Sequence, residues 1–191
     1  MNVEQLQRLF DTGIFIHIPR CGGKNLLETF KPGHLPKDLS RYRNYTLQEL
    51  THDQGDDIFY LKDKLFTVIR SPYARLLSIY AWVTLHRHRN QHNIPDFNVW
   101  VRNLDFIDPK SILTLNCYDW LTYKGTPVIT KNRILKLEDI YPLFPILDKF
   151  KKTDKNGWGI RKDYKDMYDE ETKQIVAHYF KKDLEYFDYE F

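Results

Sequence analysis

Two short apolar segments, each followed at once by a basic turn and a helix, constrain the fold of this chain more than any other feature. Residues 14–18 (IFIHI) and 65–69 (LFTVI) are apolar and rich in β-branched side chains, which predicts two buried strands. A third strand is predicted at residues 133–137 (RILKL). Because helical segments and long connections separate these strands, we predict an α/β fold with a parallel sheet covered by helices on both faces.

The remaining periodic segments predict the helices. Residues 73–85 predict one long apolar helix, with Ser71 as its N-cap and Pro72 at its first helical position. The polar residues 86–93 predict a loop after it. Further helices are predicted at residues 3–10, 25–30, 46–50, 95–104, 109–122, 139–150 and 169–186.

Length, charge and cysteine content limit the class of protein. A chain of 191 residues favours a single domain, residues 1–191. The net charge of +3 is too small for a general nucleic-acid surface, but it allows a local anion site. Two cysteines exclude a disulfide scaffold and a four-cysteine zinc site. We expect a cytoplasmic protein without a membrane span or a nucleic-acid partner, since no apolar run approaches the ~20 residues of a spanning helix and the N-terminus lacks signal-peptide form.

The turn after the first strand predicts an anion site. Gly22 and Gly23 allow close approach of the backbone, and Arg20 and Lys24 add two cations beside the start of a helix. The nucleotide-triphosphate motif G-x-x-x-x-G-K-[ST] does not fit, because Ile18 occupies the first glycine position and Asn25 the serine or threonine position. Without that hydroxyl the usual magnesium ligand is missing, so the loop suits an anion bound without a metal.

A second anion site is predicted where the second strand ends. Arg70 follows that strand directly, and open parallel sheets bind their ligands at this edge. Ser71, Arg75 and Ser78 share one face of the following helix, since they are spaced by four and three residues. Arg70 and Ser78 are therefore the predicted contacts of a second phosphate.

Four ordered segments resemble the sulfotransferases that use 3′-phosphoadenosine 5′-phosphosulfate (PAPS), specifically the carbohydrate-sulfotransferase-like branch. Residues 15–30 resemble the 5′-phosphosulfate loop H-I-P-K-x-G-G-[TS], and residues 65–80 resemble the 3′-phosphate motif V-R-[ND]-P-[YFW]-x-R-[LVI]-x-S-x-Y. Residues 134–140 (ILKLEDI) are similar to the third strand of that family. Residues 168–191 are similar to its terminal helix and closing Asp-x-x-x-Phe-x-Tyr pattern. The resemblance runs in order from residue 14 to the end of the chain.

The resemblance implies a three-layer α/β fold related to nucleotide kinases, and transfer of a sulfuryl group from PAPS to a hydroxyl or amine. The acceptor it implies is a small molecule or a carbohydrate, and no metal is required. The chain is short for the class, so we expect an acceptor pocket that is open or is completed by a second copy of the chain. The donor contacts that the resemblance implies are Arg20, Cys21, Gly22, Gly23, Lys24, Asn25, Arg70, Ser78, Arg161 and Lys162.

Two departures from the family pattern shape the expected chemistry. Arg20 replaces the lysine of the loop, and Lys24 replaces the serine or threonine after the two glycines. Arginine neutralises charge but does not readily give up a proton, so we predict that Lys24 shares or takes over the catalytic role of the loop cation. The histidine of a Lys-His-x-Thr-Ala segment is Asn44 here. The candidates for the base are then His52 and, less well, His34 or Glu49, and histidine suits the role because imidazole titrates near neutral pH.

Two other functions compete with this one. A small P-loop-like kinase would need a magnesium ligand that the loop lacks. A catalytically inactive member of the family, which binds nucleotide or a partner protein, is compatible with the altered loop and with Asn44.

Overall fold

A computed structural model describes residues 1–30, 47, 50, 52, 55–87, 95–104, 115–143 and 163–191, except for a few side chains, that of Lys24 among them. The described chain forms two compact units. Unit 1 comprises Met1–Arg70 and Cys117–Asp148, and unit 2 comprises Ser71–Asn116 and Lys149–Phe191. Each is described by itself below, and a single domain over residues 1–191 stays a prediction.

Unit 1 contains a parallel sheet of three strands, as predicted. The strands β1 Ile14–Ile16, β2 Leu65–Ile69 and β5 Ile134–Lys136 lie in the order β1–β2–β5. Strand β1 pairs with the central strand β2 in the register Ile16↔Thr67, and β5 pairs with β2 in the register Ile69↔Lys136. A short antiparallel hairpin accompanies it, formed by β3 Thr122–Tyr123 and β4 Thr126–Pro127.

The helices of unit 1 pack against this sheet. Phe10 of the first helix lies in edge contact with Phe66 of β2, with ring centroids 5.0 Å apart, and Leu26 of the second helix is buried in the same cluster. This apolar cluster joins the helices to all three strands and so fixes the strand ends on which the candidate site depends. The helices are α1 Val3–Thr12, α2 Gly23–Thr29, a later one at Cys117–Trp120, and another at Leu137–Ile140.

Unit 2 is built from helices around a second apolar cluster. The long helix begins at Pro72, as predicted, and continues to Arg87. In chain order we label the helices after α2 as α3 Pro72–Arg87, α4 Phe97–Arg102, α5 Cys117–Trp120, α6 Leu137–Ile140, α7 Glu170–Tyr179 and α8 Lys181–Phe187. The second cluster contains side chains from α3, α4 and α7, and Phe180. Among the described helices of both units, none has the length and apolarity needed to cross a membrane.

Several predicted boundaries are wrong by a few residues, for local physical reasons. Strand β1 ends at Ile16 rather than residue 18, because the buried hydroxyl of Thr67 donates to the Ile16 carbonyl at 2.8 Å and the chain then turns. Helix α3 includes residues 86 and 87, which were predicted as loop, since histidine and arginine continue a helix readily. Helix α4 begins after Asp96, whose side chain caps the Asn98 amide.

The predicted helix over residues 169–186 is two helices, not one. Phe180 interrupts it with backbone angles of φ −106° and ψ 28°, while its ring stays in the core of unit 2. Most of the predicted helix at residues 46–50 lies outside the described residues, as do residues 109–114 and 144–150 of two others. In the described part of the segment 109–122, only Cys117–Trp120 is helical.

Candidate functional site

The predicted donor residues of unit 1 follow the carboxyl ends of two adjacent parallel strands. Strands β1 and β2 are neighbours, so their carboxyl ends lie at the same edge of the sheet. Arg70 follows Ile69, the last residue of β2, directly. Arg20 lies four residues beyond Ile16, in the turn that leads from β1 to α2. Open parallel sheets bind ligands at this edge, so the sheet brings both predicted anion contacts to the expected side.

The backbone of the turn adopts two left-handed conformations, at Arg20 with φ 68° and at Gly22 with φ 78°. Glycine adopts this conformation without cost, whereas arginine pays a strain of about 1 kcal/mol or more. A side chain at position 22 would also collide with Leu137 of α6, because a Cβ there would lie 2.8 Å from Cδ1 of that residue. The turn is therefore built tightly against the residue that follows β5.

Position 23 is closed to a side chain for a different reason. A Cβ at Gly23 would lie 2.5 Å from Cδ2 and 2.8 Å from Nε2 of His17, whose half-buried imidazole lies beside the start of α2. The ring of Phe15 stacks on this imidazole with centroids 6.0 Å apart. His17, which lies within the predicted strand 14–18, follows the last residue of β1 and supports the turn from within unit 1.

Helix α2 begins without a side-chain cap. Gly22 is its N-cap residue, and the amide of Leu26 donates to the Gly22 carbonyl at 3.2 Å to close the first turn. Asn25 is half-buried in that turn, and its carbonyl accepts the hydroxyl of Thr29 at 2.8 Å. Lys24 occupies the second position of the helix, and its side chain lies outside the described part of the structure.

Arg70 is a half-buried cation at the end of the central strand. Within the described residues its guanidinium forms no ion pair and no hydrogen bond. A half-buried guanidinium that has no carboxylate beside it is suited to an external anion, because charge of the opposite sign would then stabilise it. Arg20 is also half-buried.

The thiol of Cys21 is directed into unit 1, and its amide donates to the Ile18 carbonyl at 3.4 Å. The residue is 1% exposed, and its Sγ lies 4.0 Å from Sγ of Cys117, the first residue of α5. The two sulfurs are not joined by a disulfide. Cys117 has no local sequence signal that would pair it with the turn, because 96 residues separate the two cysteines.

The predicted residues of α3 belong to unit 2. Ser71 precedes the helix, as predicted, and its carbonyl accepts the amide of Arg75 at 2.8 Å. Arg75 is 1% exposed, and its Nη1 donates to the carbonyl of Leu115 at 2.8 Å, so it has a structural contact within unit 2. Ser78 is half-buried.

The remaining predicted residues are exposed or lie outside the described part of the chain. His52 is exposed, and Arg161 and Lys162 lie outside the described residues. Sequence reasoning missed two supports of the turn, Leu137 beneath Gly22 and Thr67, which ends β1. Neither has a motif that would reveal it, since each meets residues that are distant in sequence, Leu137 by packing and Thr67 by a hydrogen bond. Among the described residues no group of three or more His, Cys, Asp or Glu side chains is arranged to hold a metal ion.

Comparisons of the chain with protein-family models, with curated proteins and with solved structures gave no significant match.

Proposed function

We propose that this protein is a sulfotransferase that uses PAPS and transfers its sulfuryl group to a hydroxyl or amine of an acceptor, either a carbohydrate or another small molecule. The observation that carries the proposal is the position of Arg20 and Arg70 just beyond adjacent parallel strands. Two half-buried cations at one sheet edge suit a ligand with two separate anionic groups, and PAPS carries such groups at its 3′ and 5′ positions. The fold proposed with this function is a three-layer, P-loop-like α/β fold.

The residues of the turn fit the 5′-phosphosulfate. The structure leaves no space for a side chain at Gly22 or Gly23, and a glycine turn before a helix is typical of loops that bind an anion through the backbone. Arg20 supplies positive charge beside them, and its strained backbone is typical of residues held in place for function. Asn25 offers no hydroxyl to a magnesium ion, which favours a donor that is bound by side chains and amides alone.

Arg70 fits the 3′-phosphate. Its guanidinium can form two parallel hydrogen bonds to a phosphate, and within the described residues no carboxylate competes for it. The family resemblance assigns Ser78 a share of this contact, and it assigns Arg161 and Lys162 to the nucleotide as well.

The proposed transfer requires three contributions from the chain: neutralisation of charge, donation of a proton and acceptance of a proton. When bound, the donor supplies a sulfuryl group whose transfer leaves negative charge on the 5′-phosphate. Arg20 neutralises that charge as it develops, and Lys24 both neutralises it and offers a proton to the departing oxygen. His52 accepts the proton of the acceptor hydroxyl, a role that imidazole performs well near neutral pH.

Calorimetric titration with adenosine 3′,5′-bisphosphate, run beside ATP with magnesium, tests the proposal. We expect micromolar binding of the bisphosphate and much weaker binding of ATP. Arg70→Ala should weaken bisphosphate binding at least tenfold, because one charge-assisted contact contributes about 1.5–3 kcal/mol. Arg8→Ala is the matched control, since Arg8 is an exposed residue of α1, and it should bind as the parent protein does.

Two results would overturn the proposal. A preference for ATP with magnesium would indicate a kinase. The absence of binding for both nucleotides would indicate a protein whose altered loop no longer holds a donor, and a partner-binding function would then be favoured.

A further inference from the structure

The two cysteines of the chain form a buried pair that the proposed chemistry does not use. Cys21 lies in the turn between β1 and α2, and Cys117 begins α5, in another part of unit 1. Their Sγ atoms are 4.0 Å apart, and each residue is 1% exposed. A thiol contact between residues so distant in sequence brings two oxidisable groups together at the base of the candidate site.

We propose that Cys21 and Cys117 form a reversible disulfide under peroxide, and that this bond changes the conformation of the donor-binding turn. A disulfide requires the sulfurs to approach from 4.0 Å to about 2.05 Å. Side-chain rotation supplies part of this movement, and the backbone of the turn supplies the rest, because Cys21 lies in neither a strand nor a helix.

The reaction balances with one hydrogen peroxide and no other reagent. The thiolate of Cys21 attacks one peroxide oxygen, the O–O bond breaks, and hydroxide leaves, so that Cys21 becomes a sulfenic acid. The thiolate of Cys117 then attacks that sulfur, the S–S bond forms, and the S–O bond breaks with loss of a second hydroxide. The two thiol protons convert both hydroxides to water. Peroxide gains two electrons, and the sulfurs together lose two.

The bond would alter the site through the neighbours of Cys21. Arg20 and Gly22 flank it, and both hold left-handed backbone conformations that a shift of the intervening residue would change. Gly22 also lies against Leu137 with no space for a side chain, so a movement of the turn would change that packing as well. Because the shift would misplace charge-assisted contacts of the turn to the anion, we expect the oxidised protein to bind the bisphosphate about 10- to 100-fold more weakly. This expected loss of binding rests on the proposed function.

The test uses the full chain, first reduced and then exposed to hydrogen peroxide for several hours, since the buried thiols react only when unit 1 opens locally. We expect the intact mass to fall by about 2 Da, the loss of two hydrogens, and proteolysis to release a peptide that links Cys21 to Cys117. Dithiothreitol should restore both the mass and bisphosphate binding. Cys117→Ser and Cys117→Ala, both checked for folding by circular dichroism, should form no internal link after the same exposure to peroxide.

The mass and the peptide map need no nucleotide, so they separate this inference from the proposed function. Two thiols that stay reduced, or that become sulfinic acids without a link, would overturn the disulfide. A linked protein that binds the bisphosphate as tightly as the reduced one would overturn its effect on the turn. Failure of the reduced protein to bind the bisphosphate would overturn the proposed donor, while the disulfide itself is still judged by the peptide map.

Discussion

Gly23 and His17 are packed so closely that no side chain fits between them, since a Cβ on Gly23 would lie 2.5 Å from Cδ2 of the imidazole. The close contact joins the end of β1 to the start of α2 across the turn that carries Arg20. A substitution at Gly23 therefore tests whether this contact holds the turn in place.

Gly23→Ala should destabilise the protein, because the new methyl group must displace the imidazole of His17. We expect a loss of about 1–3 kcal/mol in the free energy of unfolding, measured by urea denaturation. The double variant His17→Ala/Gly23→Ala, compared with His17→Ala alone, should lose much less, since the imidazole is gone and only Cε1 of Phe15, at 3.2 Å, remains close. An unchanged urea midpoint for Gly23→Ala would show that the contact is not tight.

Gly22→Ala should be destabilising for a reason that no second substitution removes. Its φ of 78° is strained for any L side chain, and its Cβ would also meet Leu137. We expect a loss of at least about 1 kcal/mol by urea denaturation. Leu137→Ala should not restore the stability of Gly22→Ala, because the backbone strain persists. Full restoration would show that side-chain collision alone excludes alanine there.

If Lys24 shares the catalytic role, Lys24→Ala should lower kcat far more than a substitution at the surface does. Loss of one group that stabilises transition-state charge lowers kcat by about 100- to 1000-fold. Steady-state kinetics of Lys24→Ala and Arg20→Ala would compare the two cations, and Lys62→Ala, at an exposed position outside the turn, is the control. A near-full rate in Lys24→Ala would assign the role to Arg20 alone.

Asp169 makes the stability of unit 2 depend on pH. The amide and hydroxyl of Thr172 donate to its carboxylate, and Arg102 pairs with it, which together hold its pKa below the ordinary value. Since the pKa is lower in the folded state, the stabilisation is present above pH ~4 and is lost as the pH falls through the folded pKa. The Tm of Asp169→Asn should therefore differ from that of the parent protein at pH 6 and approach it as the solution is acidified. A difference that stays constant with pH would contradict this role.

The three strands of the sheet were predictable because each is a short, local run of apolar residues. Their parallel direction followed from the long connections between them, and Ser71 and Pro72 correctly marked the start of α3. The two glycines of the turn indicated close approach, but the residues that make it close, His17 and Leu137, could be found only from the folded chain.

Features that depend on distant packing were not predictable. Helical periodicity continues through Phe180, yet tertiary packing of its ring splits the helix into α7 and α8. The β3–β4 hairpin was missed although Lys124 and Gly125, both with positive φ, form the kind of two-residue turn that favours hairpins. The contact between Cys21 and Cys117 has no local signal at all.

The division of unit 1 into two chain segments has a consequence for how the nascent protein folds. Strand β1 precedes the central strand β2 in the chain, with Ile16 lying 51 residues before Thr67, so β1 is available when β2 is synthesised. The other partner of β2, strand β5, leaves the ribosome only after α3 and α4 of unit 2. One edge of β2 therefore stays unpaired during much of translation, and parallel pairing over such a distance is slow. Exposed strand edges can pair with other chains and cause aggregation. We therefore expect the yield of native protein to fall with rising expression temperature more steeply than the stability of the folded protein does.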